Sequence, residues 1–162
     1  MVAITGIELL DWVEETSHRW KTLIAAHPEV LSFECDIRET KDFAQLLQHI
    51  VAVELRYAER LNGLPATTYE SIPYDSAEAI YATHDEAMNL LRPLMDHDHN
   101  FWETVLELKT RSAGILHATR RPVVVHLLTH SIRHYAQLAT LARKQGVPPD
   151  WQMDYISMES RR

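Results

Sequence analysis

The sequence predicts an all-α chain: a four-helix bundle, with a short hairpin or irregular lid between the third and fourth helices. Three observations predict it. Four long segments repeat apolar residues at helical spacing. Capping or breaking residues bracket each of them. No internal repeat or low-complexity tract marks a second unit, so the 162 residues are read as one domain, 1-162. In a bundle of this kind, sites are built from inward side chains of facing helices.

The first helix is expected from about Gly6 to His27. Thr5 followed by Glu8 reads as a capping box, and Pro28 lies beyond the end. Ile7, Leu10, Trp20 and Leu23 belong to its apolar set. Residues 28–40 form a connection, with a short extended piece around "VLSFE". The second helix runs from about Lys41 to Asn62, with Thr40 as its cap and Gly63 with Pro65 as its stop. The third runs from about Ser76 to His97, where Asp75 and Glu78 match an N-terminal cap and Pro93 kinks or ends it. "TVLELK" then alternates as a strand does, and "SAG" signals a turn before "ILH". The fourth helix runs from about Arg121 to Gln145, with Pro122 near its first turn and "GVPP" at its end. The tail "DWQMDYISMESRR" reads as irregular chain that docks through Trp151 and Tyr155.

Composition narrows the function classes. The formal net charge is -7, and the only basic knots are Arg120-Arg121 and Arg161-Arg162. A nucleic-acid binder needs a basic field to neutralise phosphates, so no nucleic-acid partner is expected. No apolar run approaches the roughly 18 residues of a membrane span, and the N-terminus has no basic lead, so no membrane partner is expected either. The single cysteine, Cys35, rules out an internal disulfide and fits a reducing, cytoplasmic setting. Histidine is abundant at 10 residues, and neutral imidazole is the commonest metal ligand.

Three of these histidines recur in "HLLTHSIRH", at positions 126, 130 and 134. On an ideal helix His130 lies about 40° from His134, and Leu127, Leu138 and Leu141 fall around the pair. His126 lies about 80° from His134, on the flank of Arg133, Gln137 and Lys144. It is also roughly 12 Å from His134 along the axis, too far to share one metal with bonds of about 2 Å. An inward pair at this spacing can converge on a metal, with a third ligand from another helix. His49 sits at the margin of the second helix's apolar face of Phe43, Leu46, Ile50, Val53, Tyr57 and Leu61. His49, His130 and His134 are therefore the candidate metal ligands, with positions left open for water or substrate. The pair alone also fits a histidine-bearing core helix. His84, His97, His99 and His117 read as surface or loop residues, and "DHDHN" as a solvated helix terminus. Arg56 could attract a carboxylate of a cofactor or substrate, beside its ordinary reading as a solvated arginine. Tyr57 reads as core packing.

The stretches "LLQHIVAVELRYAERLNG" and "HLLTHSIRHYAQLATLARKQG" resemble the DinB family, the damage-inducible, YfiT-like group of metal-dependent enzymes. That family carries a histidine in helix two and a last helix reading roughly N-H-x-x-x-H-R-G-Q. Here His49, His130, His134 and Gln137 fall on the motif positions, while Thr129, Tyr135 and Ala136 depart from it. Those departures leave pocket shape and substrate open. The resemblance implies an up-down-down-up bundle, a homodimer, and a divalent metal, zinc or nickel foremost, held by three histidines. It also implies thiol-dependent transferase or isomerase chemistry on a small-molecule substrate, with a low-molecular-weight thiol such as bacillithiol, mycothiol or glutathione. A non-enzymatic metal-binding stress-response module and a metal–water hydrolase are the alternatives.

Overall fold

Where the long helices touch one another fixes their directions. The computed structural model describes residues 5–110 and 114–159. Four helices match the expected ones: α1 (Gly6–Ala26), α2 (Phe43–Leu61), α3 (Ala77–Leu91) and α5 (Arg120–Lys144). Asn62, just past α2, donates to the Leu90 carbonyl near the end of α3. Gln48, near the start of α2, donates to the Ile72 carbonyl ahead of α3. These two helices are parallel. Arg120 opens α5 and donates to Leu61 at the end of α2, so α5 opposes α2. Arg92, just after α3, pairs with Asp11 and Glu14 of α1, so α1 opposes α3. The order is up-down-down-up.

A β-hairpin precedes α5, as the alternation predicted. Strands β1 (Val105–Thr110) and β2 (Gly114–Thr119) pair antiparallel, with Leu108 opposite Leu116. Leu108 is buried against the bundle. Ser112 and Ala113 of the expected turn, and the basic pair Arg161-Arg162, lie outside the described residues.

Several local expectations are corrected. Both halves of the Thr5–Glu8 capping box are present, but α2 is capped by Asp42, which accepts from the Gln45 N–H at 2.8 Å. The Thr40 hydroxyl instead donates to the Ile37 carbonyl, closing a preceding 3-10 turn. Ser76, not Asp75, caps α3. Residues Pro28–Ser32 form a 3-10 turn, because a proline suits the first helical position. Extended pairing there shrinks to one bridge, Glu34 with Asp42. Helix α3 stops at Leu91, and a 3-10 turn, Arg92–Asp96, carries Pro93. "DHDHN" starts a short unanticipated helix, α4 (His99–Trp102), which Asp98 caps. The tail docks as expected, with Trp151 edge-on to Trp20 and Tyr155 against Trp12. Tyr155 also opens a short helix, α6 (Tyr155–Glu159).

The core has two apolar halves. One gathers Trp20, Ile24, Phe43, Leu46, Ile50 and Leu138. The other gathers Leu10, Val13, Leu55, Leu61, Leu91 and Leu127. Along each long helix a buried polar residue falls between them: Ser17, Glu54, His84 and Ser131. Glu54 is wholly buried. One of its oxygens accepts from Ser131 Oγ at 2.6 Å, and the other meets His84 Nδ1 at 2.7 Å. Ser17 Oγ donates to the Tyr135 hydroxyl at 3.1 Å. His84 is thus no surface histidine. It lies four residues after Ile80 and four before Met88, on the inward face of α3. No helix of the described residues is long and apolar enough to cross a membrane.

Candidate metal centre

His130 and His134 are one turn apart on α5, between the buried Leu127 and Leu138. Both are buried, and both point at α2, where half-buried His49 precedes the core residue Ile50. The ring centroids are 4.4 Å apart for His130–His134, 4.8 Å for His49–His130 and 5.1 Å for His49–His134. One nitrogen from each ring can be chosen so that all three lie within 4.8 Å of one another. His49 Nε2 and His130 Nε2 are 3.1 Å apart. Two ligands on a cation with bonds of about 2.1 Å sit roughly 3.0 to 3.4 Å apart, so this spacing suits a shared metal.

The tautomer of His134 is fixed from behind. Its Nδ1 donates to Gln137 Oε1 at 2.7 Å, which leaves the lone pair on Nε2. That Nε2 is buried and has no hydrogen-bond partner among the described residues. A buried polar atom left unpaired costs about 1 to 3 kcal/mol, so a ligand for it is expected. His130 Nδ1 is also buried without a partner.

The electrostatics keep both rings neutral. Burial, then the neighbouring His134 and His49 and the Arg133 charge, push His130 down to about 2. Burial lowers His134 to about 4. The Gln137 bond opposes that shift, and the Arg133 and Arg38 charges reinforce it. Neutral imidazole is the form that binds a cation.

His126 stands outside the cluster. Its ring is 5.5 Å from that of His130 and edge-on to Tyr57 at 5.7 Å. The clustered residues His49 and His130 border a cavity of about 740 Å³. On α2 the stripe His49, Val53, Arg56, Tyr57 and Arg60 lines it, two paths of three- and four-residue steps along one face. Tyr57 is half-buried: it packs against the core, as expected, and also lines the cavity, because the margin that carries His49 continues through it. Leu108 and Lys109 of the hairpin complete one side.

The DinB family model matches residues 1–161. The chain belongs to the DinB family. No curated protein matches it. A DinB-family bundle with three convergent imidazoles, two of them held neutral, offers a site suited to a divalent metal, and the family supports a metal-dependent enzyme. This DinB chain brings no thiol of its own to the cavity wall, for Cys35 is buried beside the Thr40 hydroxyl, outside the lining. Helical phase puts Arg133 only on a border flank of α5, yet it lines the cavity. Arg38 belongs to a connection whose backbone turn, with a φ of 57°, carries no glycine to announce it.

Proposed function

We propose that His49, His130 and His134 hold one divalent metal, zinc or nickel, each through Nε2. We further propose that the chain is a YfiT-like enzyme with thiol-dependent transferase or isomerase chemistry on a small molecule. The observation that carries this reading is the unpartnered, buried His134 Nε2, aimed at the His49–His130 pair. A bound divalent metal supplies a Lewis acid that lets a thiol give up its proton near neutral pH. The chain's residues do the rest. Gln137 orients His134, and the burial of His130 and His134 keeps protons off their nitrogens. Arg56 stands on the same wall as His49, positioned to meet a carboxylate of a cofactor or substrate. The resemblance adds a homodimer to this reading.

The cavity supports an enzyme over a closed structural site, which takes four protein ligands. Among the described residues the cluster holds three imidazoles, and it opens on about 740 Å³ of space. Elemental analysis tests the triad. The full chain is expected to carry one metal per protomer, and His130→Ala to lose it. Stoichiometric metal in His130→Ala sinks the triad. Activity that needs no added thiol would favour a metal–water hydrolase instead.

A further inference from the structure

The cavity wall carries a charge opposite to that of the chain. The chain is formally -7. Among the described residues its cavity is lined by Arg38, Arg56, Arg60, Lys109 and Arg133, against one carboxylate, Glu39. Among the described residues none of these five cations makes an ion pair with a carboxylate. Like charges gathered in one concave site repel each other; Arg56 is half-buried, while Arg38, Arg60, Lys109 and Arg133 are exposed and partly screened by water. A protein with 23 acidic side chains has carboxylates to spare for neutralising them. It places those carboxylates elsewhere, as in the pairing of Asp11 and Glu14 with Arg92.

Three further observations say what kind of ligand the cavity takes. The cations come from separate elements: Arg56 and Arg60 on α2, Arg133 on α5, Lys109 on β1, and Arg38 on the 28–40 connection. Five cations around a cavity of about 740 Å³ can meet more than one negative group at once. Arg38 and Glu39 both hold a left-handed backbone, with φ of 57° and 63°, which non-glycine residues adopt at a cost. That turn presents Arg38 at the cavity, where its charge reaches His134. Tyr57, Tyr69 and Tyr74 also line the cavity and give the ligand's carbon skeleton an aromatic surface.

We propose that this cavity binds a small organic polycarboxylate, its separated carboxylates paired with Arg56, Arg60 and Arg133 and its skeleton against the tyrosines. Guanidinium forks match carboxylates with two parallel hydrogen bonds, which sets the ligand's orientation toward His49 and His130. The proposal rests on the reading of this cavity as a substrate site. It does not require the metal, because the cations stand independently of the imidazoles.

Calorimetric titration of the full chain, metal-loaded and after chelation, tests it. The probes are propane-1,2,3-tricarboxylate, its neutral triamide and inorganic phosphate. The tricarboxylate is expected to bind the chelated chain, to weaken steeply as salt rises, and to outbind both other probes. Arg56→Gln with Arg133→Gln is expected to weaken it by about ten- to a hundredfold, the loss of charge-assisted bonds, with the fold intact by circular dichroism. Equal binding of tricarboxylate and triamide overturns the proposal, as does unchanged affinity in the double variant. Phosphate binding without tricarboxylate binding overturns the carboxylate assignment. A chelated chain that binds the tricarboxylate, in a protein that never loads metal, retires the metal site and leaves this inference standing. The converse pair of results does the reverse.

Discussion

In the proposed metal site, Gln137 decides how well His134 serves as a ligand. An imidazole ligates through one nitrogen, and the hydrogen bond at the other fixes which one. The 2.7 Å bond from His134 Nδ1 to Gln137 Oε1 does this here, with both residues one turn apart on α5. Among the described residues His130 has no equivalent bond, since its Nδ1 has no partner there. Removing the amide leaves His134 free to take the other tautomer or to turn. Gln137→Ala is expected to lower metal affinity by about 10- to 100-fold, the usual effect of deleting an outer-shell partner. Gln137→Glu keeps an acceptor oxygen at the same reach and is expected to restore affinity. Competition against a chromophoric chelator reads both. Equal affinity in Gln137→Ala and the parent chain would show that the bond is incidental to ligation.

The four long helices meet at a buried polar layer, and there the elements depend on one another most. Glu54 of α2 accepts from Ser131 of α5 and meets His84 of α3. Glu54→Ala leaves the buried His84 without its carboxylate partner, while Ser131 keeps only its bond to the Leu127 carbonyl. It is expected to cost about 3 to 5 kcal/mol in urea unfolding, as breaking a buried pair does. The pH dependence follows from His84. Burial lowers its pKa, but the Glu54 charge and hydrogen bond outweigh burial, and the net shift is upward. A raised value means that the folded state holds the proton more tightly than the unfolded state. The pair's contribution is then complete below an unfolded value of about 6.5 and is lost as pH rises through the folded value. Parent stability is expected to fall over that window relative to His84→Gln, and parallel curves would contradict the assignment. The layer was legible in principle. His84 shares α3's inward face with Ile80 and Met88, and Glu54 sits four residues after Ile50 on α2's. The phase argument that turns His130 and His134 inward on α5 turns His84 inward on α3, against the expectation of a surface histidine. Helix existence was read correctly because the apolar stripes are long. The Thr5 cap of α1 is where it was expected, and those of α2 and α3 lie two residues and one residue away, where Thr40, Asp42, Asp75 and Ser76 offer rival side chains of similar chemistry.

At the scale of the whole molecule, the three-histidine cluster was legible because phase and spacing on two helices suffice to define it. The cavity's charge was not. Its cations come from α2, α5, the hairpin and a left-handed turn, segments that only folding brings together. The same global placement links metal binding to stability. A ligand that binds only the folded state stabilises it by about 2.7 kcal/mol at a hundred times its dissociation constant. For a chain of this size that is a rise in melting temperature of roughly 5 to 10 °C. Protons compete with the metal only where they bind the same nitrogens. In the metal-free folded chain, His130 takes a proton near about 2 and His134 near about 4. The unfolded chain takes them near about 6.5, so metal-free stability itself declines as pH falls from there toward about 4. The zinc-induced rise is a difference between loaded and metal-free folded states, and proton competition at these two rings is weak until far below neutrality. Scanning calorimetry with and without zinc is therefore expected to show lower melting temperatures at about pH 5 than at about pH 7, with most of the zinc-induced rise retained. His130→Ala is expected to abolish the rise at both. A rise that vanishes by about pH 6 would mean that the imidazoles titrate as exposed groups, which the burial of His130 and His134 contradicts.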